Sequence, residues 1–323
     1  MKPPYDITPQ ILKFVIQIAE KLGEIKATHL HSPTPQLRKQ NRIRTIQASL
    51  EIEGNTLGLE QVTAIFENKK VIGPQREIQE VKNAIQAYAK IEKYDPYSLK
   101  DFLNAHKILM TELLDNPGKI RNKVVGIKKG NQIAHIAPPG DQVYPLLKQL
   151  FAYLKENDDS ILIRSCVFHY EVEFIHPFLD GNGRLGRLWQ TVLLHSQYPV
   201  FEYLPFESMI KQYQQEYYKA LSSADNIGKS TPFIEFMLNI LDQELASLLQ
   251  LPTPANTPES RLREAHTIFK RDFFSRKDYL LLFKEISTAT ASRDIKWGVT
   301  QGLLRKTGEK ALSKYQFTGK KQK

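Results

Sequence analysis

Residues 176–187 read HPFLDGNGRLGR. Gly181 and Gly183 flank Asn182 immediately before a helical run from Leu185 to Leu193. Small residues at a helix start leave backbone N–H groups bare, and the helix dipole favours an anion beside them. Arg184 and Arg187 are three residues apart in the first turn, a spacing that lets both face one ligand. Asp180, just before the glycines, is a candidate Mg2+ ligand, since Mg2+ commonly takes one or two carboxylates together with phosphate oxygens. His176 is a candidate base that titrates near neutral pH. A Gly-Asn-Gly turn, a His before Pro, a capping Asp and two solvated arginines each have a purely structural explanation. Gathered in one short stretch, they instead predict phosphate binding, metal binding and proton abstraction at one place.

Outward from this stretch the pattern is mostly helical and predicts an all-α protein. Upstream, Ile161, Ile163, Val167 and Phe168 continue a helix that starts at Ser160 and breaks at His176-Pro177. Thr8-Pro9 reads as a cap and a helix-starting proline, followed at helical spacing by Ile11, Leu12, Val15, Ile16 and Ala19. A second run covers Leu37 to Glu53 and is stopped by Gly54. Further amphipathic runs start near Leu57, Pro74, Ser98 and Asp141, with Ser98 and Asp101 forming a capping-box-like start. Between Gly118 and Pro139 the pattern changes: Val124, Val125, Ile127, Ile133 and Ile136 surround a turn-like Lys129-Gly130-Asn131, which predicts a short hairpin or flap.

Hydrophobic residues make up 41% of the 323 and charged residues 25%, values that exclude wholesale disorder. No apolar run approaches the ~20 residues of a membrane span, and MKPPYDITPQ lacks the apolar stretch of a signal peptide. A single cysteine, Cys166, fits a reducing compartment, and the protein is expected in a bacterial cytoplasm. The net charge of +10 is not spread evenly: residues 261–323 hold 16 Lys+Arg against 6 Asp+Glu, and the remainder is neutral. Such an excess at one end predicts a polyanion partner, although a solvated basic tail of Lys320, Lys321 and Lys323 would give the same balance.

HPFLDGNGRLGR resembles the signature of the Fic family, His-x-Phe-x-Asp/Glu-Gly-Asn-Gly-Arg-x-x-Arg, at every fixed position. The resemblance extends over about residues 5 to 250; Gly118-Lys119-Ile120-Arg121 resembles the start of the family's flap, and Tyr217-Tyr218 resembles a stretch of its nucleotide pocket. It implies a protein adenylyltransferase that moves AMP from ATP to a Ser, Thr or Tyr hydroxyl of a target protein or of itself. In that scheme His176 takes the hydroxyl proton and Phe178 fixes the loop. Asp180 binds the Mg2+ that bridges the α- and β-phosphates. Gly181, Asn182 and Gly183 form an anion hole, with Asn182 reaching the α-phosphate, while Arg184 and Arg187 hold the β- and γ-phosphates and Tyr218 lines the nucleotide. Relatives that transfer a γ-phosphate resemble the motif but carry Lys where Gly183 stands, so Gly183 favours AMP transfer.

The stretch Ser49 to Asn55, SLEIEGN, puts Glu53 in the last turn of a predicted helix. A carboxylate there is disfavoured by ~0.3–1 kcal/mol, because the helix C-terminus carries partial negative charge; solvation or a pair with Lys69 would relieve it. Ser49-x-x-x-Glu53-Gly54 also resembles the family's inhibitory motif, which implies a pair between Glu53 and Arg187 that blocks the γ-phosphate. The same Glu can position water for AMP removal in relatives, so a de-AMPylase or a bifunctional enzyme is the alternative activity. A DNA-binding regulator whose core only senses nucleotide is the alternative of another class, and His176 argues against it.

Residues 251–260, LPTPANTPES, read as a linker. Beyond it, Tyr279, Leu280, Leu282 and Phe283 suggest one short helix; Ser287 caps a second that runs to about Leu304. Thr307-Gly308-Glu309-Lys310 reads as a β-turn before strand-like Tyr315 and Phe317. This order resembles a winged helix-turn-helix, in which Thr290, Ser292, Arg293 and Lys296 would face phosphates or base edges. The expected organisation is an N-terminal helical region with the inhibitory helix (1–95), a Fic core (96–250), the linker (251–260) and the winged unit (261–323). The expected partners are a target protein docking on the flap near residues 124–136, double-stranded DNA at 261–323 and a second copy of the chain in a homodimer; no membrane is involved.

Overall fold

The computed structural model describes residues 2–27, 35–123, 125–129, 132–156, 158–250, 257–283, 286–309 and 313–318. Val124, Gly130, Asn131, Lys310, residues 251–256 of the expected linker and the tail lysines lie outside the described residues. The chain divides into two compact units, one gathering 1–27 with 41–250 and the other 28–40 with 251–323.

The first unit is helical. Its elements are α1 (Pro9–Ala27), the larger part of α2 (Pro35–Ile52), α3 (Leu59–Phe66), α4 (Gln75–Tyr88), α5 (Leu99–Met110), α6 (Gly140–Glu156), α7 (Ile161–Ile175) and α8 (Asn182–Gln197). After them come α9 (Phe206–Gln212), α10 (Gln214–Ile227) and α11 (Thr231–Leu249). Between α5 and α6 lie β1 (Gly126–Lys129) and β2 (Gln132–Ile136), paired antiparallel with a register irregularity after Ile127. This is the expected hairpin. Thr8 caps α1 as expected, its hydroxyl accepting from the Ile11 N–H at 3.1 Å. The buried face of α1 is Ile11, Ile18, Leu22 and Ile25, which packs on α11; Leu12 and Ile16, expected inside, are about half exposed. Those two positions lie off the stripe that Ile11 and Ile18 begin.

α7 and α8 form the centre. Both are buried nearly all round, the mark of a helix surrounded by others. Phe102 of α5, Phe151 of α6, Phe168 of α7 and Trp189 of α8 meet mostly edge to face, with ring centroids 5.3–6.4 Å apart. Full burial of each such ring is worth roughly 1.5–3 kcal/mol, so this cluster fixes how the start of α8 is presented.

The second unit is described by itself. Residues 258–260, expected as linker, are instead the first turn of α12 (Pro258–Phe269), with Thr257 as its cap. α13 (Arg276–Leu282) and α14 (Thr288–Thr300) follow, then β3 (Leu304–Thr307) paired antiparallel with β4 (Lys314–Phe317). A single bridge joins Phe274 to Tyr315. α14 stops four residues short of the expected Leu304, because Gly302 turns the chain at positive φ and Leu304 opens β3. Leu262, Phe274, Tyr279, Ile295, Leu304 and Phe317 form its apolar core. Arg261 and Asp294 make a two-pronged ion pair at 2.6 and 2.8 Å, and Tyr279 donates to the same carboxylate.

Candidate active site

α7 ends at His176, whose φ of 50° and ψ of 59° place it in the left-handed region, and Pro177 cannot continue the helix. The loop returns to start α8 through Gly181, at φ 85°. A Cβ on Gly181 would lie 2.6 Å from the Met110 sulfur, so sterics and backbone both demand glycine. Asn182 closes the loop on itself: its Oδ1 accepts from the Phe178 N–H and its Nδ2 donates to the Phe178 carbonyl, both at 2.9 Å. Its side chain therefore holds the loop. Any anion contact from Asn182 falls to its backbone N–H, one of the first donors of α8 that have no carbonyl a turn earlier.

Three further side chains hold this loop. Phe178 is fully buried and stacks on His106, ring centroids 3.6 Å apart. The Gly118 N–H donates to His106 Nδ1 at 2.8 Å, so Nε2 carries the proton and donates to the Asp180 carbonyl at 2.9 Å. Burial depresses the His106 pKa to about 4, and the ring stays neutral. Arg121 reaches four carbonyls: Ile175 and Pro138 through Nη2, His176 through Nε and Lys123 through Nη1, at 2.5–2.9 Å. It thus ties the end of α7 to both feet of the hairpin.

On α8, Arg184 and Arg187 diverge. Arg184 Nη2 meets Asp180 at 2.7 Å and its Nη1 meets Glu80 of α4 at 3.2 Å. Asp180 also accepts from the Gly181 N–H and pairs with Arg76 at 3.3 Å. Arg187 is wholly buried. Its Nε donates to the Ser49 hydroxyl at 3.0 Å, and its Nη2 donates to the Ser49 carbonyl and to Glu53 Oε1, both at 2.8 Å. Burial opposes its charge, and Glu53, Tyr217 and Glu173 outweigh that, so its pKa is raised. Glu53 lies one residue past the end of α2, not within its last turn, with Gly54 turning the chain at φ 93°. Lys69, the other candidate partner of Glu53, pairs with Glu67 at 2.6 Å. Gln214 and Tyr218 of α10 both bond the Ile52 carbonyl, at 3.1 and 3.4 Å, so Tyr218 touches the residue just before Glu53. A Cβ on Gly183 would lie 2.4 Å from Glu53 Oε1, so the bare flank of Gly183 is where Glu53 rests.

Among the described residues no cluster of three or more His, Cys, Asp or Glu side chains could hold a metal by itself. Asp180 offers hard carboxylate oxygens just before the start of α8, with two arginines beside them. That donor set suits Mg2+ only when phosphate oxygens complete its shell. In the second unit, Thr290, Ser292, Arg293 and Lys296 all lie on α14. Arg293 and Lys296 are exposed; Thr290 and Ser292 are half-buried and bonded to Ser287 and Arg276 respectively.

The sequence reading did not single out His106, Glu80, Arg76 or Glu173. Glu173 carries a signal that was available: it lies three residues before His176 on the same helix and so one turn away on its face.

A bare helix N-terminus, a strained glycine loop, a left-handed histidine and two arginines define a helical protein built around an anion cradle. The Fic/DOC family model matches residues 96–194, which contain this cradle. The crystal structure of a Fic family protein from Desulfovibrio desulfuricans G20 is 39% identical, with a TM-score of 0.75 and full coverage of both chains. The chain belongs to the Fic family. Among curated relatives, protein adenylyltransferase Fic of Drosophila virilis is 28% identical over 72% of this chain and 48% of its own length. Protein adenylyltransferase fic-1 of Caenorhabditis elegans is 30% identical over 65% of this chain and 42% of its own. The chain thus spans about half the length of the curated relatives it matches.

Proposed function

We propose that this protein is a self-inhibited protein adenylyltransferase, transferring AMP from ATP to a hydroxyl side chain of a target protein and of itself. The observation that carries the proposal is the left-handed His176 beside the bare start of α8. His176 Nδ1 lies 3.4 Å from the Glu173 carbonyl oxygen, which favours the proton on Nδ1 and leaves the Nε2 lone pair to accept one. Nε2 takes the proton of the target hydroxyl, its oxygen forms the new bond to the α-phosphorus, and the bond to pyrophosphate breaks with its electron pair leaving on pyrophosphate. The backbone N–H groups of Gly181, Asn182 and Gly183 would meet the developing charge, that of Gly181 after leaving the Asp180 carboxylate it bonds. Asp180 would hold Mg2+ together with the phosphates, and the ion would screen their charge. Arg184 and Arg187 hold the outer phosphates once their carboxylate partners give way. The names of the curated relatives support this activity.

The test is intact-mass analysis after incubation with ATP and Mg2+. Protein and acceptor should gain the mass of AMP, and His176→Ala should lose this by roughly a hundredfold or more while still binding ATP. Labelling undiminished in that variant would end the mechanism, and removal of AMP from a pre-modified acceptor would favour the hydrolytic alternative.

The hairpin supports target docking by strand addition, since β1 and β2 pair only with each other among the described strands. The single, fully buried Cys166 supports a reducing cytoplasm, and no helix among the described residues is long and apolar enough to cross a membrane. The second unit, three helices followed by a hairpin, supports a winged helix that binds duplex DNA through the exposed Arg293 and Lys296. Duplex titrated into the full-length protein should bind weakly and lose affinity steeply between low and physiological salt. Absence of binding even at low salt would reassign this unit to protein contact.

A further inference from the structure

The Glu173 carbonyl orients His176 in the scheme above, while its side chain has no part there yet lies at the centre of the site. It sits in the last turn of α7, and its side chain is largely enclosed. A Cβ on Gly183 would lie 2.4 Å from Glu53 Oε1, 3.1 Å from Arg187 Nη1 and 3.2 Å from Glu173 Oε1. Two carboxyl groups and one guanidinium therefore converge on the same bare flank of α8. Only Glu53 closes a hydrogen bond to Arg187 there.

We infer that Glu173 is a further nucleotide-binding residue, a carboxyl group that gives a hydrogen bond to the terminal phosphate of a nucleoside triphosphate when Glu53 leaves Arg187. The inference rests on the proposed ATP-dependent activity. A carboxylate beside a triphosphate would repel it, whereas a carboxylic acid donates to it. The surroundings decide which form is present. The Glu173 pKa is raised to about 7: burial is the largest cause and the charge of Glu53 the next, Arg187 and a hydrogen bond from Tyr217 oppose them, and Asp225 adds to the rise. On its own helix His169 lies 3.9 Å away and is held neutral by burial, which depresses its pKa to about 3. Tyr217 of α10 stands 3.4 Å from Glu173 Oε1. A triphosphate replacing Glu53 brings more negative charge to the same flank, so it keeps Glu173 protonated, and binding takes up a proton wherever the free protein has lost it.

The experiment measures the affinity of full-length Glu53→Gly for α,β-methylene-ATP and for ADP, each with Mg2+, from pH 6 to 9. In Glu53→Gly the affinity for the triphosphate should fall by up to about tenfold per pH unit once Glu173 ionises. In Glu53→Gly/Glu173→Gln, whose amide donates at every pH, only the slope due to the nucleotide itself should remain, and ADP should not distinguish the two proteins. Calorimetry of Glu53→Gly in buffers of different ionisation heat should show about one more proton taken up with the triphosphate than with ADP at pH 8; this readout needs no change at Glu173. Parallel pH curves in the two variants, or equal proton uptake with both nucleotides, overturn the inference and leave the adenylyltransferase proposal standing. No triphosphate binding by Glu53→Gly at any pH overturns both.

Discussion

The loop from His176 to Gly181 and the segment from Ser49 to Gly54 meet at the start of α8, and they are held there by different means. The loop is locked by buried groups: Arg121 on four carbonyls, Asn182 on the backbone of Phe178, His106 on the Asp180 carbonyl and on the ring of Phe178. Removing any one leaves buried carbonyls or N–H groups unpaired, at about 1–3 kcal/mol each. The segment contributes a carboxylate that is a third exposed and makes a single ion pair, helped by two bonds from Arg187 to Ser49. A reacting site has to be fixed, whereas a stopper has to come out. Under the proposed function, the difference in burial would let one helix end serve both.

The largest effect that would sharpen this contrast is on rate. Glu53→Gly should raise AMP transfer, including self-modification, by roughly tenfold or more, because Arg187 is freed and no buried bond of the loop is touched. Initial rates at saturating ATP compare the two proteins. A variant no faster than wild type on any acceptor would mean that Glu53 restrains nothing.

The next effect separates the flap from the loop it hangs on. Arg121 bonds the Lys123 and Pro138 carbonyls, so the feet of the hairpin share the rigidity of the loop, while among the described strands its two pair only with each other. Proline at Ile133 removes a strand N–H from an edge that a target would extend. In the Glu53→Gly protein, Ile133→Pro should cut modification of a target several-fold and spare self-modification and ATP binding. Equal loss of all three would show that the hairpin is needed for folding and not for docking.

How much of this was legible follows from how far apart in sequence the partners lie. The residues from His176 to Arg187 are contiguous, and glycines, a proline and a following apolar run mark the turn and the helix start on their own. The Glu53–Arg187 pair spans 134 residues and came only through the resemblance. Arg121 and His106 were unreadable as supports because their hydrogen-bond partners are backbone groups, which no side-chain pattern announces. The Asn182 side-chain bonds to Phe178 were unreadable for a related reason: an Asn between two glycines suits a ligand contact and a self-closing loop equally. The helices α9 to α12 were not singled out. Leu12 and Ile16 fit a helical period yet face out, because periodicity sets spacing and the packing on α11 sets phase.

The smallest effect concerns the floor beneath Arg187. Glu207 of α9 is fully buried, with the Tyr88 hydroxyl 3.2 Å from its Oε1 and no partner for its Oε2. Burial pushes its pKa up to about 8, against smaller lowering from its own backbone, Arg187 and Tyr88. A carboxyl group raised in the folded state holds its proton there after the unfolded chain, with an ordinary value near 4.3, has lost it. The folded state therefore binds more protons between those values, and stability must fall as pH rises through that window, by up to about 1.4 kcal/mol per pH unit for one group. Below pH 4 the contribution is whole, and above pH 8 the loss is complete. Glu171, Glu173 and Glu244, each raised to about 7 chiefly by burial, slope the same way. Glu207→Gln keeps the shape and cannot ionise, so its unfolding free energy in denaturant should decline less steeply than that of the wild type between pH 5.5 and 8.5. Parallel curves for the two proteins would mean that Glu207 keeps its charge in the folded state, and the floor beneath the inhibitory pair would then be ionic.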